Sequence, residues 1–330
     1  MSARPDPFAD TFVAMAAARA VIAATRLGVF AALAERPATP EGLAAALDLD
    51  VTGTEALLTA LAALGYLEAE PDGTHRPGEA AARQLVPGSR ESIATFVGDY
   101  DAFAWEMLGG LEEALSADTR PRSHERPPRD PFWDAYVRGL YELSRAEHAD
   151  NAALVGLEEV DTLLDVAGGH GGFAMAMCRR HPRLRATVLD LPASAAVGRR
   201  IVAEEGLAER IEFREGDALT AQLGKGLDVV SVFNFLHHLP ADQARGFVGR
   251  ARAALGPGGC LVVGETERTP PGAPATVNGA LSGLVYFASS GTRNYTADEV
   301  RGWLREAGFA SVDVHRNQRS PWRLLYVART

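Results

Sequence analysis

From Thr162 onward the chain alternates short apolar strands with helices, and this alternation restricts the fold more than any other feature of the sequence. Strands are expected at Thr162 to Val166, Arg185 to Leu189, Ile211 to Arg214, Leu227 to Phe233 and Cys260 to Glu265. Helices are expected at Gly172 to Arg180, Ala193 to Glu205 and Ala241 to Leu255, and a capping box at Thr296 to Glu299 opens another that ends at Gly308. Ser311 to His315 and Arg323 to Ala328 read as two closing strands. Such a series implies an α/β, Rossmann-like doubly wound parallel sheet. Ligands then bind outside the carboxyl ends of the strands, near the point where the winding reverses.

The preceding third of the chain has a different character. Phe12, Met15, Ile22, Phe30 and Leu33 recur at helical spacing. Thr39-Pro40 pairs an N-cap with a proline at the first helical position, opening a helix through Leu47. Thr52-Gly53-Thr54-Glu55 reads as a capping box for a third helix ending at Gly65. Tyr66 to Glu70 and Thr74 to Arg76 form a hairpin around Pro71-Asp72-Gly73. Three helices and a hairpin are the order of a winged helix. Residues 1 to 95 nevertheless carry seven arginines against twelve acids, and the stretch from Gly53 to Leu64 has no basic residue. That helix cannot neutralise phosphates or fork onto a guanine, so it suits packing against protein rather than DNA. The expected organisation is 1–95 winged-helix-like, 96–155 connecting helices and pocket lid, and 156–330 catalytic domain. Ser116 to Pro131, dense in proline and charge, is expected as an exposed loop.

Each of the first three strands of the alternating region ends on residues that can hold a nucleoside. The first runs into Ala167-Gly168-Gly169-His170-Gly171-Gly172, where small residues allow a tight turn and the next helix directs free N–H groups at a ligand. No Gly-Lys-Ser/Thr follows, which excludes a kinase-type phosphate loop. The second ends at Asp190, placed to accept both ribose hydroxyls. The third is followed by Asp217, a carboxylate able to accept from an adenine amino group. For any one acid a cap or a solvated turn is the commoner fate. Up to this point NAD and S-adenosylmethionine (SAM) fit equally.

DVAGGHGG, VLDLP, EGDAL, FNFLHHLPADQ and LGPGGCLVVGE, in this order and spacing, resemble the SAM-dependent small-molecule O-methyltransferases, among them plant caffeate-type and bacterial polyketide-tailoring enzymes. That family carries an N-terminal winged-helix dimerisation domain, so the resemblance spans nearly the whole chain. It implies a homodimer that uses SAM, releases S-adenosylhomocysteine and methylates a hydroxyl of a small, aromatic secondary metabolite. It places Ala167, Gly168, Gly169 and Gly171 along the methionine part of SAM, with Ala167 standing where the family has glycine. Asp190 and Leu191 fall to the ribose, Asp217 and Ala218 to the adenine, and Asn234 to the sulfonium.

The resemblance also makes His237 the general base and Glu265 the acid that orients it. Independently, a phenol near pKa 10 is protonated at pH 7, and a histidine can take its proton. His238 adjoins His237, and sequence alone does not exclude an exchange of roles. Asn294 stands where the family often has a second acid, so it can hydrogen-bond but supplies no charge. The aromatic residues Phe132, Trp133, Tyr136, Phe235, Tyr286 and Phe287 are candidates for the acceptor pocket, together with Asn294. Alternatives within the fold are C- or N-methylation and non-methylating hydroxylation or pericyclic catalysis.

Charge and composition narrow the remaining classes. The net charge of −10 disfavours nucleic acid. The longest alanine-rich stretch is broken by Arg19 and Arg26, so no membrane span is expected. Two cysteines are too few for a disulfide framework, and the N-terminus has no apolar signal segment, so a reducing cytoplasm is expected. Adjacent His237 and His238 cannot easily chelate one ion, and no metal is expected.

Overall fold

In the computed structural model, which describes residues 7–116 and 123–330, the chain divides into one unit ending at Trp105 and another beginning at Glu106. The expected division at about residue 95 therefore stands against a boundary ten residues later. Most of the Ser116 to Pro131 loop, residues 117–122, lies outside the described residues.

The first unit is built from α1 (Pro7–Arg26), α2 (Val29–Glu35), α3 (Pro40–Leu47), α4 (Val51–Ala63), a hairpin of β1 (Leu67–Ala69) and β2 (His75–Pro77), and α5 (Glu79–Gln84). Thr39 caps α3 as expected, its hydroxyl accepting from Gly42 N–H. The capping box expected at Thr52 does not form. Asp50 caps α4 instead, its carboxylate accepting from Gly53 N–H at 2.7 Å, and Thr54 turns its hydroxyl to Asp50 carbonyl. A charged acceptor two residues earlier outcompetes a hydroxyl for the same orphan donors. Phe30, Leu33, Leu43, Leu58 and Leu61 close the small core, each contributing ~1.5–3 kcal/mol by leaving water. Phe12, Val13 and Met15 of α1 stay exposed.

In chain order follow α6 (Asp101–Gly109), within which the boundary falls, and α7 (Leu111–Ser116), the first helix wholly in the second unit. The second unit continues with α8 (Phe132–Leu154), β3 (Thr162–Val166), α9 (Gly172–Arg180), β4 (Arg185–Asp190), α10 (Pro192–Glu204), β5 (Ile211–Glu215) and β6 (Leu227–Phe233). It ends with α11 (Ala241–Ala254), β7 (Leu255–Thr266), α12 (Val277–Ser290), α13 (Ala297–Glu306), β8 (Ser311–Arg316) and β9 (Arg323–Arg329). The expected capping box of α13 is present, Thr296 and Glu299 satisfying each other's N–H groups.

The seven strands of the second unit pair in the order β5-β4-β3-β6-β7-β9-β8. β3 to β7 are parallel, whereas β9 runs antiparallel between β7 and β8. The expected doubly wound parallel sheet is present, and of the two closing strands β9 is antiparallel to its neighbours. The link from β8 to β9 is too short for a crossover helix, so those strands can only turn back on each other. The winding reverses between β3 and β6, and the carboxyl ends of both strands open there. Val166, Val188, Val230, Val232 and Leu261 are fully buried, as strands covered on both faces require. Among the described residues no single helix is long and apolar enough to cross a membrane.

Candidate active site

A cavity of about 630 Å³ opens at these strand ends. One side of it is main chain and acid. After β3 the backbone turns through left-handed conformations at Ala167 (φ 53°), Gly169 (φ 51°) and Gly171 (φ 70°). Ala167 holds a conformation that costs an L residue roughly 1 kcal/mol. Gly168 has no room for a side chain: a Cβ would lie 2.7 Å from the Asp165 carboxyl. On α10, Gly198 faces the same turn, where a Cβ would come within 2.2 Å of Gly169 carbonyl oxygen. The close approach of helix and turn is therefore a two-glycine contact, and the sequence reading found only one partner.

Asp190 closes this side. Its carboxylate accepts from Gly169 N–H at 2.6 Å and from Leu191 N–H at 2.7 Å. Burial nevertheless pushes its pKa up to about 6, the hydrogen bonds only partly offsetting the loss of water. Asp165, fully buried and held by the Ser231 hydroxyl at 2.6 Å, is pushed up to about 7 for the same reason. Asp217 accepts from Leu219 N–H at 2.8 Å and keeps a face on the cavity. Ala167, Gly168, Gly169, Leu191, Ala218 and Asn234 also line it. Asn234 adopts φ 51°, a left-handed position that asparagine tolerates better than most residues. Gly171 does not line the cavity. It caps α9 beneath Val188 and Val202.

His170, in the same turn, was not among the expected residues. Its Nδ1 accepts from Gly172 N–H at 2.9 Å, so its proton sits on Nε2, which faces Ser144 Oγ at 3.3 Å. Burial lowers its pKa to about 4, which keeps the ring neutral. Ser144 belongs to a stripe of α8, with Trp133, Tyr136, Val137, Leu140 and His148, that faces the cavity at helical spacing.

The other side of the cavity is made of side chains from distant segments. Trp133, Tyr136 and Phe235 line it as expected, joined by His124, His238, Ser290 and Arg323. His124 Nε2 lies 3.2 Å from Tyr136 Oη, and its ring meets that of His238 edge-on at 4.7 Å. His238 Nδ1 is bonded to Ser290 Oγ. Burial lowers the pKa of His124 to about 4 and that of His238 well below 6.5. Phe132, Tyr286, Phe287 and Asn294 do not line the cavity. Phe132 is stacked behind Tyr136 at 5.0 Å, and Asn294 is buried with its Oδ1 unpartnered.

His237 and Glu265 meet as the sequence expects. His237 Nδ1 lies 2.7 Å from Glu265 Oε2, and Glu265 Oε1 accepts from the N–H groups of Phe235 and Leu236 at 2.9 and 2.7 Å. A carboxylate so anchored can only accept, so Nδ1 carries the proton and the Nε2 lone pair is left without a partner among the described residues. His237 is only 2% exposed, and Tyr286 lies flat on its ring at 3.8 Å and 14°. It therefore stands behind the cavity wall, with His238 in front.

Comparison with known proteins assigns the class. An O-methyltransferase domain matches residues 124–310, and an O-methyltransferase dimerisation domain matches residues 9–83. The chain belongs to the SAM-dependent O-methyltransferase family. It is 32% identical to the 3-hydroxy-5-methyl-1-naphthoate 3-O-methyltransferase of Streptomyces sahachiroi, over 88% of this chain and 85% of that one. It is 30% identical to the N,N-dimethyltransferase OxyT of Streptomyces rimosus, over 94% and 92% of the two chains. Its fold superposes on human N-acetylserotonin methyltransferase, solved in complex with SAM, with a TM-score of 0.84 at 21% identity, covering 100% and 99% of the two chains.

Proposed function

We propose that this enzyme methylates a hydroxyl of a small aromatic metabolite, with His237 as general base. The observation that carries the reading is the His237–Glu265 pair, which fixes the tautomer and leaves an Nε2 lone pair for a proton. The cavity fits the cofactor in kind. Gly168 and Gly169 bring bare backbone to the ligand, and three acids, Asp165, Asp190 and Asp217, favour a cation there. SAM, when bound, supplies an electrophilic methyl on a sulfonium. Asp190 accepts from the ribose hydroxyls beside Leu191, Asp217 and Ala218 frame the adenine, and Asn234 lies toward the sulfonium. Trp133, Tyr136 and Phe235 form flat walls for a ring, with Phe132 stacked behind Tyr136. His237 takes the acceptor proton, and Glu265 stabilises the resulting imidazolium.

A second reading exchanges the histidines. His238 faces the cavity and its lone pair is free of a carboxylate, which supports it as the base. N-methylation is the alternative chemistry, supported by the likeness to OxyT. Mass spectrometry of the protein with SAM and a panel of phenols and aryl amines tests these readings. A gain of one methyl on oxygen is expected, and methylation confined to amines overturns the O-methyl reading.

The working form is a homodimer in the cytoplasm. The exposed apolar residues of α1 and the match to a dimerisation domain support the dimer. The buried free thiols Cys178 and Cys260 fit a reducing compartment. A monomer in light scattering at micromolar concentration contradicts the dimer.

A further inference from the structure

The side chain of His170 leaves the glycine-rich turn and packs into one face of α8. The rings of Tyr141 and His148 flank it at 5.7 and 5.5 Å, and Ser144 stands between them, so three residues at helical spacing surround a single imidazole. The hydrogen bonds form one directed chain. Gly172 N–H donates to Nδ1 at 2.9 Å, Nε2–H donates to Ser144 Oγ at 3.3 Å, and the Ser144 hydroxyl donates to Leu140 carbonyl at 2.6 Å. Both ring nitrogens are used, and only the neutral ring fits such a chain. Gly172 has to be glycine here, because a Cβ would lie 2.8 Å from the His148 ring and 2.8 Å from that of His170. Among the described residues, the Ser144 contact is the only hydrogen bond between α8 and the turn 167–171.

The same helix carries an aromatic wall of the cavity. Tyr136 and Trp133 lie on it about 12 and 16 Å from Ser144 along the axis, at the usual rise per residue. A helix is stiff over that length, so the tie to the turn fixes how far apart the two walls stand. In methyl transfer the acceptor oxygen attacks the carbon opposite the departing sulfur, and a misplacement of about 1 Å can cost about 100-fold in rate. We propose that His170 is a positioning residue for methyl transfer, holding the aromatic wall of α8 at its working distance from the glycine turn. The inference rests on the reading that puts the cofactor at that turn and the acceptor ring against Trp133 and Tyr136.

Methyl transfer from SAM to 2-naphthol by the full-length enzyme tests this, with S-adenosylhomocysteine affinity measured by calorimetry on each variant. That affinity also reports that each variant is folded. His170→Asn keeps an oxygen that can accept from Gly172 N–H, two residues on, but is too short to reach Ser144. Ser144→Ala removes the other end of the tie. Both should lower kcat about ten- to 100-fold, while KM for 2-naphthol and S-adenosylhomocysteine affinity change by no more than about threefold. Ser144→Thr, whose hydroxyl can still bond Leu140 carbonyl, should restore most of kcat. Three results overturn the proposal: unchanged kcat in both variants, a fall in S-adenosylhomocysteine affinity as large as the fall in kcat, or a Ser144→Thr enzyme no faster than Ser144→Ala. A wild type that binds S-adenosylhomocysteine but methylates no phenol or aryl amine overturns the reading of the acceptor wall, and the proposal with it.

Discussion

The two ends of the cavity are built on different principles. At the glycine-turn end, proposed above for the cofactor, backbone N–H groups and three aspartates project from consecutive strand ends, so that wall is fixed by the sheet itself. At the other end, proposed above for the acceptor, His124, Trp133, Tyr136, His238, Ser290 and Arg323 come from helices, loops and the strand β9, far apart in the chain. The first end is negative and suits a cation. The second has aromatic walls, neutral histidines, Glu125 and the Arg323–Glu147 pair, and suits a flat ring. One fold can thus keep a constant cosubstrate while the acceptor varies, because changes in α8, α12 or β9 leave the strand-end acids untouched.

The comparison breaks if the ends are not separable. Asp190→Ala should weaken SAM by roughly 1.5–3 kcal/mol, about ten- to 150-fold, through lost charge-assisted hydrogen bonds, yet leave turnover near normal at saturating SAM. Titration calorimetry and saturation kinetics on one preparation check both halves. Gly198→Ala should come next, costing ~1–3 kcal/mol in chemical denaturation, because its Cβ would collide with Gly169 carbonyl oxygen. S-adenosylhomocysteine should restore part of that loss if the turn can still close.

A pH series sharpens the contrast further. Ligand hydroxyls need ionised Asp190, so SAM affinity should rise with pH, at most about tenfold per unit, and level off above about 6. The ligand-free protein should respond with the opposite sign. A carboxyl whose pKa is raised from 3.8 to about 6 on folding stabilises below 3.8, and that contribution is lost as pH rises through about 6. Asp190→Asn should flatten both dependences. The smallest effect is expected at Ala167→Gly, which should relieve up to about 1 kcal/mol of left-handed strain, seen as a small rise in midpoint on denaturation.

The same contrast decides what could be read from the sequence. The cofactor end was legible because strand, turn and helix sit within a few residues of each other, so Gly168, Asp190 and Asp217 announce themselves locally. His237, just past β6, and Glu265, near the end of β7, were marked by the family resemblance of the motifs around them. Arg323, His124 and Ser290 were not, since nothing in their neighbourhoods says that three separate segments converge. The stripe from Trp133 to His148 carried a usable signal, a helical period of mixed aromatic and polar residues. α12 was missed because glycine and serine interrupt its apolar pattern. The pocket aromatics were only half right, since periodicity says that Phe132 and Tyr286 are packed and not which face of them meets a ligand.

The central claim is that His237, buried behind the acceptor end, takes the proton while the cofactor end works without it. Single-turnover methylation of the accepted phenol by His237→Ala and His238→Ala, with S-adenosylhomocysteine affinity measured on the same proteins, tests it most directly. The account predicts a loss of about 100- to 10,000-fold for His237→Ala alone, with cofactor affinity unchanged in both variants. Near-normal turnover in His237→Ala beside a collapse in His238→Ala would contradict it.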